Sequence, residues 1–213
     1  MVTKDRPALF EQSIRSLYAN TVGKFDLTVV DDCSDDLRPV SLLAEEFGFS
    51  ATWNTQPTPL GGSKNKALRG KDGLCYLTDN DVYFTPGWDE DLLAAWKNRD
   101  PKIKLLGGGC HPYLKTNRID QHDGYQIHYK DAISGYSWLL EHETWKQYGP
   151  LDANALGSGQ SEDWAFCQRI KADGYEVASI WPEVVIHTGL TTTEGRPAVG
   201  GETFLRLVGV LIE

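Results

Sequence analysis

Three short apolar runs that end in acid or glycine constrain this chain more than any other feature. They are "FDLTVVDD" (25–32), "GLCYLTDND" (73–81) and "IKLLGGG" (103–109). Runs of this length with almost no polar alternation suit strands covered on both faces. Between and around them lie stretches with apolar residues at helical spacing. "PALFEQSIRSLY" has Asp5 as a candidate cap and Pro7 near its first turn, and "VSLLAEEFG" is closed by Gly48. "GGSKNKALRG" and "GWDEDLLAAWKN" also read as helices, and "SATWNT" as a further strand. Strand and helix alternating in this order predict an α/β fold, a mainly parallel sheet with helices on both faces. Ligands of such sheets sit at the carboxyl ends of the strands. Asp31, Asp32, Asp79 and Asp81 all fall at such ends, so one shared crevice is expected.

The second half has another texture. Residues 110–135 are polar, carry His111, His122 and His128, and show no clear period. "GYSWLLEHETWKQYG" reads as a strand leading into a helix. "SEDWAFCQRIKADGYEVA" reads as a helix capped by Ser161 and stopped at Gly174, followed by the strand "EVASIW". The threonine- and glycine-rich stretch 188–202 predicts a mobile loop. No repeat or linker divides the 213 residues, a length that fits one domain. A net charge of −9 argues against a nucleic-acid partner, which demands a basic face. No apolar run is long enough for a membrane span, and "MVTKDRPALF" lacks the apolar segment of a signal peptide. Cys33, Cys75, Cys110 and Cys167 are scattered without a CxxC pair, as expected of reduced thiols in a cytoplasmic protein.

Each acidic cluster admits two readings. Asp79 and Asp81, two positions apart, can converge on Mg²⁺ or Mn²⁺ as hard oxygen ligands, or merely close a turn. The acids of "TVVDDCSDD" either accept hydrogen bonds from a ribose or base, or cap the strand end. Lys64 in "PLGGSKNKAL" either reaches a diphosphate or is a solvated helix lysine; the spacing is not that of a phosphate loop. Glu162 and Asp163 suit a helix start for dipole reasons, yet a carboxylate against the apolar wall of Trp164, Phe166 and Ile170 can serve as a general base. His187 ends the apolar run of "WPEVVIHTG", either as a structural imidazole or as a third metal ligand.

In order, "TKDRPALFEQSIRSLYANT", "VVDDCSDD", "GGSKNKAL", "LTDNDVYFTPGW", "YGPLD", "SEDWAFCQRIKADGYEV" and "VIHTG" cover nearly the whole chain. With these motifs the chain resembles the nucleotide-sugar glycosyltransferases of the GT-A fold, the large family 2 group in particular. Its last third also resembles galactosyl- and N-acetylgalactosaminyltransferases. The resemblance implies a single GT-A domain with a Rossmann-like sheet, residues 1–109 forming a nucleotide-binding half and 110–213 an acceptor and catalytic half. It implies that Asp32 reads the nucleotide, with Thr3, Asp31, Lys64 and Asp79 around it. It further implies that the DND segment is the metal-binding DxD motif, Asp79, Asp81 and His187 holding Mn²⁺ or Mg²⁺. Asp163 would be the general base of an inverting transferase, Glu162 would orient the acceptor or the backbone, Trp138 would be either a core residue or an apolar platform for a sugar ring, and the 191–201 loop would close over the donor. The implied partners are a nucleotide-sugar donor, a UDP-sugar by default, and a glycan or other hydroxyl acceptor. Two other readings stay open: a retaining transferase in which Asp163 only positions substrate, and a sugar-nucleotide-binding module without catalysis. Only "MVT" precedes the "KDR" turn where the family has a full apolar strand, so either the first strand is very short or the chain is shortened at its start. The chain also stops soon after the histidine loop, so any acceptor-specific domain is expected to be missing.

Overall fold

A computed structural model describes residues 1–59, 61–112, 114–152 and 162–189. The first half runs β1 (Val2–Thr3), α1 (Pro7–Asn20), β2 (Thr28–Asp31), α2 (Arg38–Phe47), β3 (Ser50–Trp53), α3 (Gly62–Leu68), β4 (Leu74–Thr78), β5 (Val82–Phe84), α4 (Trp88–Asn98) and β6 (Ile103–Gly107). It continues with β7 (Thr116–Gln121), β8 (Gln126–Lys130), β9 (Ser137–Glu141), α5 (His142–Tyr148), α6 (Glu162–Ala172), β10 (Glu176–Trp181) and β11 (Val185–His187). Pro7 sits in the first turn of α1, where its fixed φ suits the helix and its missing N–H costs nothing. Phe10, Ile14 and Leu17 then recur on one buried face of that helix.

The described strands form three sheets. β1, β2 and β3 pair in parallel. A six-stranded sheet has the order β4-β9-β6-β10-β8-β7, and β11 pairs with β5. The α/β expectation holds, but the sheet is more mixed than the first half predicts. Within the six-stranded sheet only β6 and β10 run parallel, and β9 enters antiparallel between β4 and β6. β9 is buried at Ser137, Trp138, Leu139 and Leu140, so it carries no alternation from which its place in the sheet could be read.

Two other elements differ from expectation. The polar stretch 110–135 contains the β7–β8 hairpin, which extends the sheet edge next to β10. Val82–Phe84, within the "VYFTPGW" tail, is a strand in its own right because β11 needs a partner. Leu105 and Leu106, neighbours on β6, enter opposite cores: Leu106 joins Phe10, Phe84 and Leu92 beneath α1 and α4, and Leu105 joins Trp138, Phe166 and Ile170 beneath α6. The four cysteines are free thiols. None of the described helices is long and apolar enough to cross a membrane. The Ser161 cap and, beyond Thr188 and Gly189, the 188–202 loop with its 191–201 lid lie outside the described residues.

Candidate active site

The carboxyl ends of β1, β2 and β4 and the end of β11 meet around the Asp79–Asn80–Asp81 loop. The loop is fastened from below. Ser13 Oγ, fully buried on α1, lies 2.9 Å from Asn80 O and 2.7 Å from Val82 O, and accepts from Val82 N at 3.0 Å. Asn80 Nδ2 donates to Thr3 Oγ1 at 2.9 Å. The middle residue of the loop is thus tied inward, between its two acids. Thr3, 2% exposed, is therefore a support of this loop, not a group that faces a ligand.

Asp81 and His187 meet because β11 pairs antiparallel with β5, His187 opposite Val82, and Thr188 N donates to Asp81 O. His187 Nε2 lies 3.3 Å from Asp81 Oδ2, and Arg6 Nη1 pairs with that same oxygen. Burial alone would raise the Asp81 pKa, but the His187 contact and the Arg6 charge outweigh it and hold the carboxyl below its ordinary value. Asp79 is pushed the other way. Crowding raises it, Lys64 opposes, and Asp81 and Glu162 raise it further; a third of its side chain is exposed, so water moderates the effect.

Lys64 lies beneath these acids. Its Nζ donates to Gly135 O and Glu162 Oε1, both at 3.2 Å, and stands 3.4 Å from Asp79 Oδ1. Burial would lower its pKa, but Asp79, Glu162 and Asp163 together raise it above the lysine range, so it is a permanent internal cation. Two of its donors are committed to Gly135 O and Glu162, and Asp79 lies close by, so Lys64 is an internal ion-pair partner of the site's acids and not a solvated helix lysine. Glu162, 9% exposed, is its buried partner. Asp163, one residue on and partly exposed, accepts from Gly135 N at 3.1 Å and from Trp164 N at 2.7 Å. A side chain at Gly135 would lie 2.7 Å from Lys64 Nζ and 3.3 Å from Asp163 Cβ, so it would displace the ammonium from its place between these acids.

His111, from the stretch without a readable period, joins the cluster. Its ring centroid is 5.1 Å from that of His187, and burial with the His187 charge pushes its pKa down to about 4. It is a neutral imidazole at ordinary pH.

The paired acids after β2 separate. Asp32 Oδ1 accepts from Asn54 Nδ2 (2.8 Å), Thr58 N (3.0 Å), Thr58 Oγ1 (2.8 Å) and Ser63 Oγ (2.9 Å). Burial would raise its pKa, but these donors lower it, so the site is built around an ionised carboxylate. Asp31 is fully buried and spends both oxygens on Ser34, at 2.8 and 2.6 Å; it caps the turn, contrary to the expected nucleotide contact. Trp138 is also corrected. It is 1% exposed and stacks on Phe166 at 5.4 Å between centroids, which leaves no ring face for a sugar. Sequence reasoning missed Arg6, Ser13, Asn80, Gly135 and His111. None belongs to a pattern of its own, although Asn80 lay in plain view between two suspected ligands.

Among the described residues, no three carboxylates, imidazoles or thiols form a ready-made metal cage. The donor set nevertheless suits a divalent cation. Asp81 offers oxygen and His187 nitrogen within 3.3 Å of each other, and His187 Nδ1 is buried without a hydrogen-bond partner, so the ring has ligating or donating capacity unspent. A cavity of about 430 Å³ lies elsewhere, lined by Met1, Leu27, Leu74, Tyr76 and Trp88, and none of Asp79, Asp81 or Asp163 borders it.

The mixed α/β domain, with acids gathered at its strand ends, matches the architecture of known GT-A glycosyltransferases. The glycosyl transferase family 2 model matches residues 1–137, and the chain belongs to that family. No curated protein matches it in sequence. Among solved structures it is similar to a mannosyltransferase, PcManGT from Pyrobaculum calidifontis, in complex with GDP-Man and Mn²⁺: 16% identity, TM-score 0.64, covering 84% of this chain and 54% of that one. It is also similar to GalNAc-T7 with UDP, GalNAc and Mn²⁺: 13% identity, TM-score 0.69, covering 98% and 47%. A third is S. aureus TarS in complex with UDP: 17% identity, TM-score 0.58, covering 84% and 55%. These likenesses establish the GT-A fold. The chain spans about half the length of the structures it matches.

Proposed function

We propose that this chain is a metal-dependent glycosyltransferase that moves a sugar from a nucleoside-diphosphate sugar to an acceptor hydroxyl with inversion. One observation carries the reading: the Asp163 carboxylate is fixed by Gly135 N–H at the start of α6, next to Glu162, which Lys64 links to Asp79. Asp81 and His187, with Asp79, would hold the cation. Bound there, Mn²⁺ or Mg²⁺ would supply Lewis-acid neutralisation of the departing nucleoside diphosphate. Asp163 takes the proton of the acceptor hydroxyl as that oxygen attacks the anomeric carbon from the face opposite the leaving group. The transition state has oxocarbenium character, and a single displacement inverts the centre. Glu162 holds Lys64, and with it the acid cluster, in place. Asp32, held ionised by its four donors through Oδ1, accepts hydrogen bonds from the nucleotide. UDP and GDP are both candidates, since the matched structures hold one or the other.

The test has two parts. UDP or GDP is expected to raise the melting temperature more with Mn²⁺ than with EDTA, because a ligand of the native state stabilises in proportion to its occupancy. Anomeric configuration of the product, read by NMR from a donor of known configuration, is expected to be inverted. Retention would remove Asp163 as base, and equal shifts with and without Mn²⁺ would remove the metal.

A further inference from the structure

We propose that Arg6 is a built-in counter-ion of the metal position: it holds Asp81 until a divalent cation arrives, then leaves Asp81 for the donor's diphosphate. This rests on the metal reading of Asp79, Asp81 and His187 given above. Arg6 Nη1 pairs with Asp81 Oδ2, the oxygen that His187 Nε2 also approaches at 3.3 Å. A cation held by Asp81 and His187 would compete with the guanidinium for the charge of this one carboxylate, because two positive centres beside it repel each other.

The position of Arg6 is built into the backbone. Asp5 and Arg6 are consecutive left-handed residues, at φ 49° and 52°, a conformation that is uncomfortable for side chains with a Cβ. The surroundings hold them there. Asp5 N donates to Ser34 Oγ at 2.7 Å, Asp35 N donates to Asp5 Oδ1 at 3.0 Å, and Asn80 Nδ2 reaches Asp5 O at 3.4 Å. The loop after β2 and the DND loop therefore both fasten the Arg6 turn. Strain maintained in this way is found where function uses it.

Two further observations agree. A Cβ at Gly189 would overlap Asp81 Oδ2 and lie 3.2 Å from Arg6 Nη1, so the chain leaving β11 closes over this ion pair only because it is glycine there. Arg6 Nε is buried without a partner, so the guanidinium is incompletely satisfied where it stands. Its side chain is 20% exposed, which gives it a way out, and the paired oxygens of a diphosphate match its fork of donors. Metal and nucleotide binding are then coupled. A nucleoside diphosphate that draws Arg6 away raises metal affinity, and the metal raises nucleotide affinity by the same factor.

The experiment is Mn²⁺ binding followed by electron paramagnetic resonance of the free ion, with and without UDP or GDP. Wild type, Arg6→Gln, Arg6→Lys and Asp81→Asn are compared, each first checked by thermal melting. Arg6→Gln is expected to bind Mn²⁺ alone about tenfold more tightly than wild type, within the ordinary range of site-to-site coupling, and its enhancement by nucleotide should shrink by a similar factor. Arg6→Lys, which keeps the charge but not the fork, should fall between the two. A gain in affinity cannot come from lost structure, so it separates this role from a merely structural one. Mn²⁺ binding that requires Asp81 but is equal or weaker in Arg6→Gln would overturn the role of Arg6 alone. Binding that survives Asp81→Asn would overturn the metal reading and this proposal with it.

Discussion

Lys64→Met tests how far the acids of the site depend on one buried cation. In the folded protein Lys64 Nζ serves Glu162 at 3.2 Å, Asp79 at 3.4 Å and Gly135 O at 3.2 Å. Methionine keeps the length and apolar stem of lysine but removes every donor. Breaking a buried ion pair from one side costs about 3–5 kcal/mol, because a desolvated charge is left without compensation. The lower end applies here. Lys64 and Glu162 side chains are 11% and 12% exposed, but that of Asp79 is 33% exposed and can recover some hydration. A loss of about 3 kcal/mol corresponds, for a domain of this size, to a melting temperature lower by roughly 6–12 °C. Urea unfolding of both proteins at pH 7 gives the difference directly. The deficit should shrink as pH falls from 7 toward 5. Asp79 already sits above its ordinary pKa, and without Lys64 it rises further, so the folded variant takes up protons that the unfolded chain does not. Adding Glu162→Gln to Lys64→Met should restore part of the loss, since the uncompensated acid is then gone. A Lys64→Met protein within about 1 kcal/mol of wild type would refute the argument and make Lys64 an ordinary solvated lysine.

Asp163→Asn should leave donor and metal affinity nearly unchanged while transfer falls by roughly two to four powers of ten, the usual cost of losing a general base. Glu162→Gln in single-turnover assays should affect rate less and stability more; the reverse outcome would mean that the wrong acid has been named. Trp138→Leu should cost about 2–3 kcal/mol as a core truncation and leave the KM for donor and acceptor unchanged, whereas a raised acceptor KM would restore the sugar-platform reading. His128 should titrate below the ordinary histidine value, because burial and the Lys130 charge both disfavour its protonation. Its contribution to stability is therefore complete above about pH 6.5 and is lost as pH falls through its lower folded value, so an NMR midpoint at or above 6.5 would contradict it.

The sequence by itself determined the local elements and the order of the acids. The runs ending at Asp31 and Asp79 are strands, the segments at 7–18, 40–47 and 162–172 are helices, and the DND loop lies where strands end, because these features follow from periodicity and capping among neighbours in the chain. Placement of the acidic motifs along one edge of the sheet was likewise readable from the alternation of strand and helix. Which side chains meet was decided only by the tertiary structure. Asp31 and Asp32 differ by one position, yet one is buried against Ser34 and the other receives Asn54, Thr58 and Ser63, because successive strand residues face opposite ways. His187 reaches Asp81 only because β11 pairs with β5, and Lys64 meets Glu162 only because the start of α6 lies beside α3. The insertion of β9 between β4 and β6, and with it the burial of Trp138, follows from the same cause. Strand order and ion pairing are set by the free energy of burying distant surfaces against one another, and that quantity is not carried by any local run of residues.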